Sequence, residues 1–162
     1  MFEIRIASKE DLSAITEIYN DAVVNTTATF HIEPKSIDEQ KFWFDSHTGQ
    51  FTVIVAVENN FLVGWASLSP WSGRCAYSNT ADIAVYIKEG FRGKGIGKKL
   101  VKELLKRAPE IGLHTAIAKI CSENEISFNM FKKLGFEKIG TMKEVGCKFG
   151  RKLDVHLMQI VF

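Results

Sequence analysis

The chain has 162 residues, enough for one domain around one sizeable core, and its 46% hydrophobic and 25% charged residues are ordinary for a globular protein. Its 21 basic and 19 acidic side chains leave a net charge of only +2, which excludes the basic excess of a dedicated nucleic-acid binder. The start, Met1–Arg5, lacks the basic-then-apolar order of a signal peptide, and no apolar run is long enough to span a bilayer.

In chain order, Phe2–Ala7 alternates as a strand does. Ser8 reads as the N-cap of a helix whose apolar positions are Leu12, Ile15, Ile18, Tyr19, Ala22 and Val23. Asn25–Pro34 is polar and irregular. Ser36 or Asp38 then caps a second helix through Trp43. Phe51–Val57 and Phe61–Leu68 form a hairpin turning at Asn59-Asn60. A loop with Pro70, Gly73 and Arg74 leads to a strand over Thr80–Ile87 and then to a glycine-rich segment. A helix from Gly97 to Ala108 carries an apolar stripe of Leu100, Val101, Leu104 and Leu105, and Pro109 and Gly112 end it. Thr115–Cys121 is a strand. Asn124–Leu134 is a helix closed by Gly135. Strands over Glu137–Glu144 and Lys152–Val161 finish the chain. This order predicts a single domain, residues 1–162, of α/β (α+β) class with a mixed sheet.

The three cysteines, Cys75, Cys121 and Cys147, fit neither a disulfide framework nor a zinc pattern, and read as reduced thiols of a cytoplasmic protein. His31, His47, His114 and His156 have no metal-ligand spacing and read as structural or surface residues.

The segment Arg92-Gly93-Lys94-Gly95-Ile96-Gly97 lies between a strand and a helix. Its glycines let the backbone approach a ligand, and the helix start presents free N–H groups to an anion. Arg92, Lys94, Lys98 and Lys99 add positive charge. A P-loop is excluded, because no Lys-Ser or Lys-Thr follows the second glycine. A dinucleotide fingerprint is excluded because Lys98 or Leu100 stands where its third glycine belongs.

The pattern Arg/Gln-x-x-Gly-x-Gly/Ala is met by Arg92, Gly95 and Gly97. With Asn124 and Leu134-Gly135-Phe136 downstream, the chain resembles the GNAT superfamily of acyl-CoA-dependent N-acyltransferases. Within it the chain is similar to the phosphinothricin and methionine sulfoximine acetyltransferase group. The markers are Ile18-Tyr19-Asn20, Thr29-Phe30, Glu33-Pro34, Pro70-Trp71, Arg74 with Ala76-Tyr77, Ala84–Ile87, Gly146 with Lys148, and Asp154-Val155.

The resemblance implies a mostly antiparallel, twisted central sheet with helices on both faces. It implies acetyl-CoA as co-substrate, no metal, a small amino-acid-like amine as acceptor, and a homodimer. It places the pantetheine arm on Val85, Tyr86 and Ile87, and the pyrophosphate on Arg92, Gly93, Lys94, Gly95, Ile96 and Gly97 with Lys98 beside it. Asn124 contacts the cofactor, and Phe30, Arg74 and Tyr77 hold the acceptor.

Three positions depart from the pattern: Asp82 stands for the group's catalytic Glu, Phe131 for a Tyr often used as general acid elsewhere in the superfamily, and Phe149 for a His of the group. An amine must lose a proton before it attacks, and Asp82 can take that proton directly or through a water. A carboxylate here can also simply attract the ammonium. Arg74 suits a substrate carboxylate by its fork geometry, and equally suits solvent. Two other readings remain at this level: transfer to a protein or peptide amine, and a non-catalytic acetyl-CoA-binding module.

Overall fold

The computed structural model describes residues 1–162. Its elements are β1 (Glu3–Ile6), α1 (Leu12–Asn25), α2 (Ile37–Asp45), β2 (Val53–Glu58), β3 (Phe61–Pro70), β4 (Thr80–Ile87), α3 (Ile96–Glu110), β5 (Thr115–Cys121), α4 (Glu125–Lys133), β6 (Glu137–Lys148) and β7 (Arg151–Val161). The strands form one sheet in the order β1-β2-β3-β4-β5-β7-β6. Every pairing is antiparallel except β4 with β5.

The two sheet faces bury different sets of side chains. On one face Ile54, Ala66, Leu68, Ile83, Ala118 and Ile120 pack with Leu100 and Leu104 of α3 and Phe131 of α4. Leu100 and Leu104 are fully buried, and each contributes about 2 kcal/mol by leaving water. On the other face Val53, Val55, Leu62 and Trp65 pack with Ile15, Ile18, Tyr19 and Val23 of α1. Leu62 and Trp65 share a face although they are three apart, because a bulge shifts the register between Ala56 and Val57. Gly64 sits at this irregularity, where a Cβ would lie 2.6 Å from Ile87 Cδ1 and 3.1 Å from the Tyr86 carbonyl oxygen. Only glycine lets β3 lie this close to β4.

Local chemistry sets the element ends. Ser36 is the cap of α2: its hydroxyl accepts the Glu39 N–H (3.2 Å) and the Glu39 carboxylate accepts the Ser36 N–H (2.8 Å). Asn59 and Asn60 hold left-handed φ of 50° and 66°, as a two-residue hairpin demands.

Several boundaries differ from the sequence reading, and three of them have a clear local cause. A short 3-10 turn over Lys9–Asp11 separates Ser8 from α1; there the Asp11 carboxylate accepts the Ser8 N–H at 2.8 Å and two Arg5 guanidinium bonds at 2.7 and 2.8 Å. Helix α3 continues past Pro109 to Glu110, because a proline in the last turn forfeits only one N–H bond. Strand β6 continues past Glu144 to Lys148. Glu144 adopts φ of 47° inside a bulge, its N–H bonds Asp154 Oδ1 at 2.8 Å, and pairing with β7 then resumes.

Candidate active site

Beyond Asp82 the parallel strand pair comes apart. Strand β4 pairs with β5 only through Thr80–Asp82 against Thr115–Ile117. From Ile83 to Ile87 one backbone edge of β4 therefore faces a widening gap, and an amide-bearing ligand can bond there as an added strand does. Two cavities of about 850 and 760 Å³ fill the gap. They share Val85, Tyr86, Asn124 and Ser127, so one ligand can reach from the second into the first.

The second cavity runs along Ile87, Arg92, Gly93, Gly95, Ile96, Gly97 and Lys98. Gly93 and Gly95 have φ of +77° and +78°, and a Cβ on either would meet no protein atom within 4 Å. The glycines thus serve the left-handed backbone and leave open space before the helix. The first helical bond of α3 runs from Lys99 N–H to the Gly95 carbonyl (3.1 Å). The N–H groups of Ile96, Gly97 and Lys98 have no intrahelical acceptor and meet the positive end of the helix dipole. A pyrophosphate fits this open, donor-rich cradle.

The basic side chains of the loop divide their work. Arg92 ties the loop to the rest of the fold: its Nη2 bonds Asp21 Oδ2 of α1 (3.1 Å) and its Nε bonds the Ile87 carbonyl (3.2 Å). Lys94 Nζ lies 4.6 Å from the Phe91 ring centroid, and Lys99 Nζ lies 4.7 Å from that of Phe2. Lys98 lines the cavity. Across the gap, Asn124 caps α4, its Oδ1 accepting the Ser127 N–H at 3.2 Å. Its Nδ2 makes no bond to protein and is left for a ligand.

The first cavity holds Asp82. Asp82 pairs with Ser69 across β3 and β4, so both side chains stand on the α1–α2 face. Burial pushes the Asp82 carboxyl up, and the nearby Lys119 ammonium of β5 opposes the shift. A carboxylate whose proton affinity is raised by burial is a better base than an exposed one.

Ser69 has a second partner. His47 Nδ1 faces the Trp43 carbonyl (2.7 Å), which only accepts, so Nδ1 carries the hydrogen. Burial lowers the His47 pKa, which keeps the ring neutral with Nε2 as an acceptor. The Ser69 hydroxyl, 2.8 Å from Nε2, therefore donates to it and turns its lone pairs to the cavity. His47 is part of the site's framework, a placement that helix and strand periodicity does not show.

An aromatic wall lines one side of the cavity. The Tyr86 ring lies 5.1 Å from Tyr19 and 4.8 Å from Trp65. Burial pushes the Tyr86 hydroxyl upward, so it holds its proton and is a poor proton donor to a thiolate, whose thiol has a pKa of about 8.5. Phe131 is buried against Phe136, and cannot donate a proton. Phe30 lines the cavity and lies so close to Gly146 that a Cβ there would sit 2.2 Å from the ring. Lys148 fixes the same loop, its ammonium donating to the Thr29 carbonyl at 2.8 Å.

Not every expected residue reaches these cavities. Arg74 and Tyr77 lie on the exposed loop between β3 and β4, at the short turn Cys75–Tyr77, and line neither one. Phe149, at the turn between β6 and β7, lines the second cavity rather than the first. Conversely Lys119, unremarked in the sequence, stands beside Asp82. No group of three or more His, Cys, Asp or Glu side chains can hold a metal ion. No helix is long and apolar enough to cross a membrane.

Known proteins are similar to this chain in sequence and in fold. The family model described as acetyltransferase (GNAT) family matches residues 14–136. An L-amino acid N-acyltransferase of Escherichia coli is 37% identical over 158 residues, spanning 97% of this chain and 92% of that protein. An L-methionine sulfoximine/L-methionine sulfone acetyltransferase of Pseudomonas aeruginosa is 40% identical over 159 residues, 97% of this chain and 92% of its own. Among solved structures, a GNAT superfamily phosphinothricin acetyltransferase from Sinorhizobium meliloti, in complex with acetyl-CoA, superposes with a TM-score of 0.96 at 36% identity. That match covers 99% of this chain and 88% of the other. A strand edge that opens beyond Asp82, a glycine cradle at a helix start and these relatives agree: the chain belongs to the GNAT family of acetyl-CoA-dependent N-acetyltransferases.

Proposed function

We propose that residues 1–162 form one catalytic domain that transfers an acetyl group from acetyl-CoA to the primary amine of a small amino-acid-like substrate. The observation that carries this reading is the junction of the two cavities: Asp82 lines the first, the glycine cradle lines the second, and Val85, Tyr86 and Asn124 line both. The named activities of the relatives, on L-amino acids and on methionine sulfoximine or sulfone, support the substrate class.

Bound acetyl-CoA supplies an activated thioester carbonyl. The cradle from Gly93 to Lys98 binds its pyrophosphate, and the open edge of Val85–Ile87 with Asn124 orients the arm between the cavities. Asp82 takes the proton of the acceptor ammonium, and Ser69 offers its lone pairs to the same group. Tyr19, Trp65 and Tyr86 exclude water from the junction. The thiolate departs without a side-chain acid, which a thiol of modest pKa permits.

Expected kinetics separate this reading from transfer to peptides. In a thiol-release assay, methionine sulfoximine, methionine sulfone and phosphinothricin should give kcat/KM at least about 100-fold above tripeptides with a free N-terminus, as the relatives' named activities on amino acids and their analogues imply. Comparable or higher values for the peptides would overturn the substrate class.

We also propose a cytoplasmic homodimer. The exposed apolar side chains Phe42 (82% exposed) and Val145 (52%) line the first cavity and Phe149 (55%) the second, and exposed apolar surface of this kind favours a second copy. Its three cysteines are free, in keeping with a reducing compartment. Sedimentation at twice the 18.2 kDa chain mass is the expected result, and a monomer at micromolar concentration would contradict it.

A further inference from the structure

The Lys119 ammonium forms an ion pair with Asp82 inside the first cavity. Its position follows from strand parity. Asp82 pairs with Ile117 in the parallel ladder, and Lys119 is two residues further along β5, on the same face. The stem lies near Trp71, with Nζ 5.5 Å from the ring centroid. The side chain keeps 48% of its exposure and Asp82 keeps 21%, so a solute in the cavity can reach both.

The other basic groups are committed or distant. Lys35 pairs with Glu39 at 3.2 Å, Lys148 donates to the Thr29 carbonyl, and burial holds His31 toward its neutral form beside Tyr19. Arg74, the side chain suited to a substrate acid, lies outside the cavity. Lys119 is therefore the cation beside the proposed base.

We infer that Lys119 reads the acid group of the acceptor, so that the site selects zwitterionic amino acids over amines lacking a neighbouring carboxylate. The inference rests on the amino-acid acetyltransferase reading. An α-amino acid carries an ammonium and a carboxylate on the same carbon. It matches the Asp82–Lys119 pair charge for charge: the ammonium turns to Asp82 and the carboxylate to Lys119. The internal ion pair is exchanged for two pairs with the substrate, and the amine is delivered to the carboxylate that deprotonates it. An amine without the carboxylate must break the Asp82–Lys119 pair and gives Lys119 nothing in return.

The test measures binding and turnover together on the CoA-loaded protein. The probes are methionine sulfoximine and the amine identical to it except for the missing carboxylate, each titrated by calorimetry and assayed for thiol release with acetyl-CoA. The wild type should bind the amino acid at least about tenfold more tightly than the amine, as one charge-assisted contact supplies. In Lys119→Met that ratio should collapse to near unity, and Lys119→Arg should restore most of it. An unchanged ratio in Lys119→Met would overturn the inference, as would equal losses for both probes or failure of the wild type to distinguish them. If the Lys119-dependent ratio appears in binding while no protein releases thiol, the inference stands and the acetyl-transfer reading alone falls.

Discussion

Replacing Gly95 with Val should abolish acetyl-CoA binding while leaving the fold intact. Gly95 sits at φ of +78°, where a β-branched residue is strained by about 1–2 kcal/mol. That is a fraction of the 5–15 kcal/mol that holds a typical domain together, so the chain still folds. A Cβ at this position meets no protein atom within 4 Å, and Gly95 lines the second cavity at the start of α3, so the added bulk competes with a ligand there rather than with the fold. A pyrophosphate held by those groups would have to retreat from several donors at once. The expected loss is at least about 100-fold in affinity, two charge-assisted bonds' worth. Gly112→Val is the control: Gly112 has φ of +87° beyond the end of α3 and lines neither cavity. It should carry similar strain with unchanged affinity. Equal affinity loss in both variants would assign the effect to strain and remove the loop from the binding site.

Asp82→Asn should lower kcat by about 10²- to 10⁴-fold, the usual worth of a general base, with acetyl-CoA affinity unchanged. The amide keeps the shape and loses the ability to take a proton. The pH profile adds an independent readout. Burial raises the Asp82 pKa and Lys119 opposes the rise, so the active, ionised form is lost as pH falls through that raised value. Wild-type kcat should therefore fall on acidification from neutral pH at a higher pH than an exposed Asp would cause, and the acid limb should vanish in Asp82→Asn. Unchanged turnover in the variant would remove Asp82 from the chemistry.

What could be read in the sequence is what depends on local backbone chemistry. The cradle was visible because left-handed φ at Gly93 and Gly95 requires glycine, and because a helix start needs an anion or a cap. Asn124 was visible for a related reason, as a residue type suited to open a helix, and it caps α4. Features that depend on pairing between distant segments were hidden. Lys119 meets Asp82 through a parallel ladder between residues 37 apart in the chain, a contact set by register that no motif records. His47 reaches Ser69 because α2 packs over the sheet. Glu144 interrupts β6 without ending it, since the bulge is secured by Asp154 on the neighbouring strand. Arg92 looked like a phosphate ligand from its place in the loop, and the structure gives it Asp21 and the Ile87 carbonyl as partners. Arg74 and Tyr77 entered by resemblance, and the loop from Trp71 to Asn79 keeps both outside the cavities of the chain.

In the proposed reaction the cradle presents an acetyl donor to an amine beside Asp82. Its most direct test is to incubate the purified protein with acetyl-CoA labelled in the acetyl group and methionine sulfoximine, then quantify CoA thiol and labelled product together. The account predicts one labelled N-acetyl product for each thiol released. Tight binding of acetyl-CoA with no thiol release, for this acceptor or any in a broad amine panel, would contradict it.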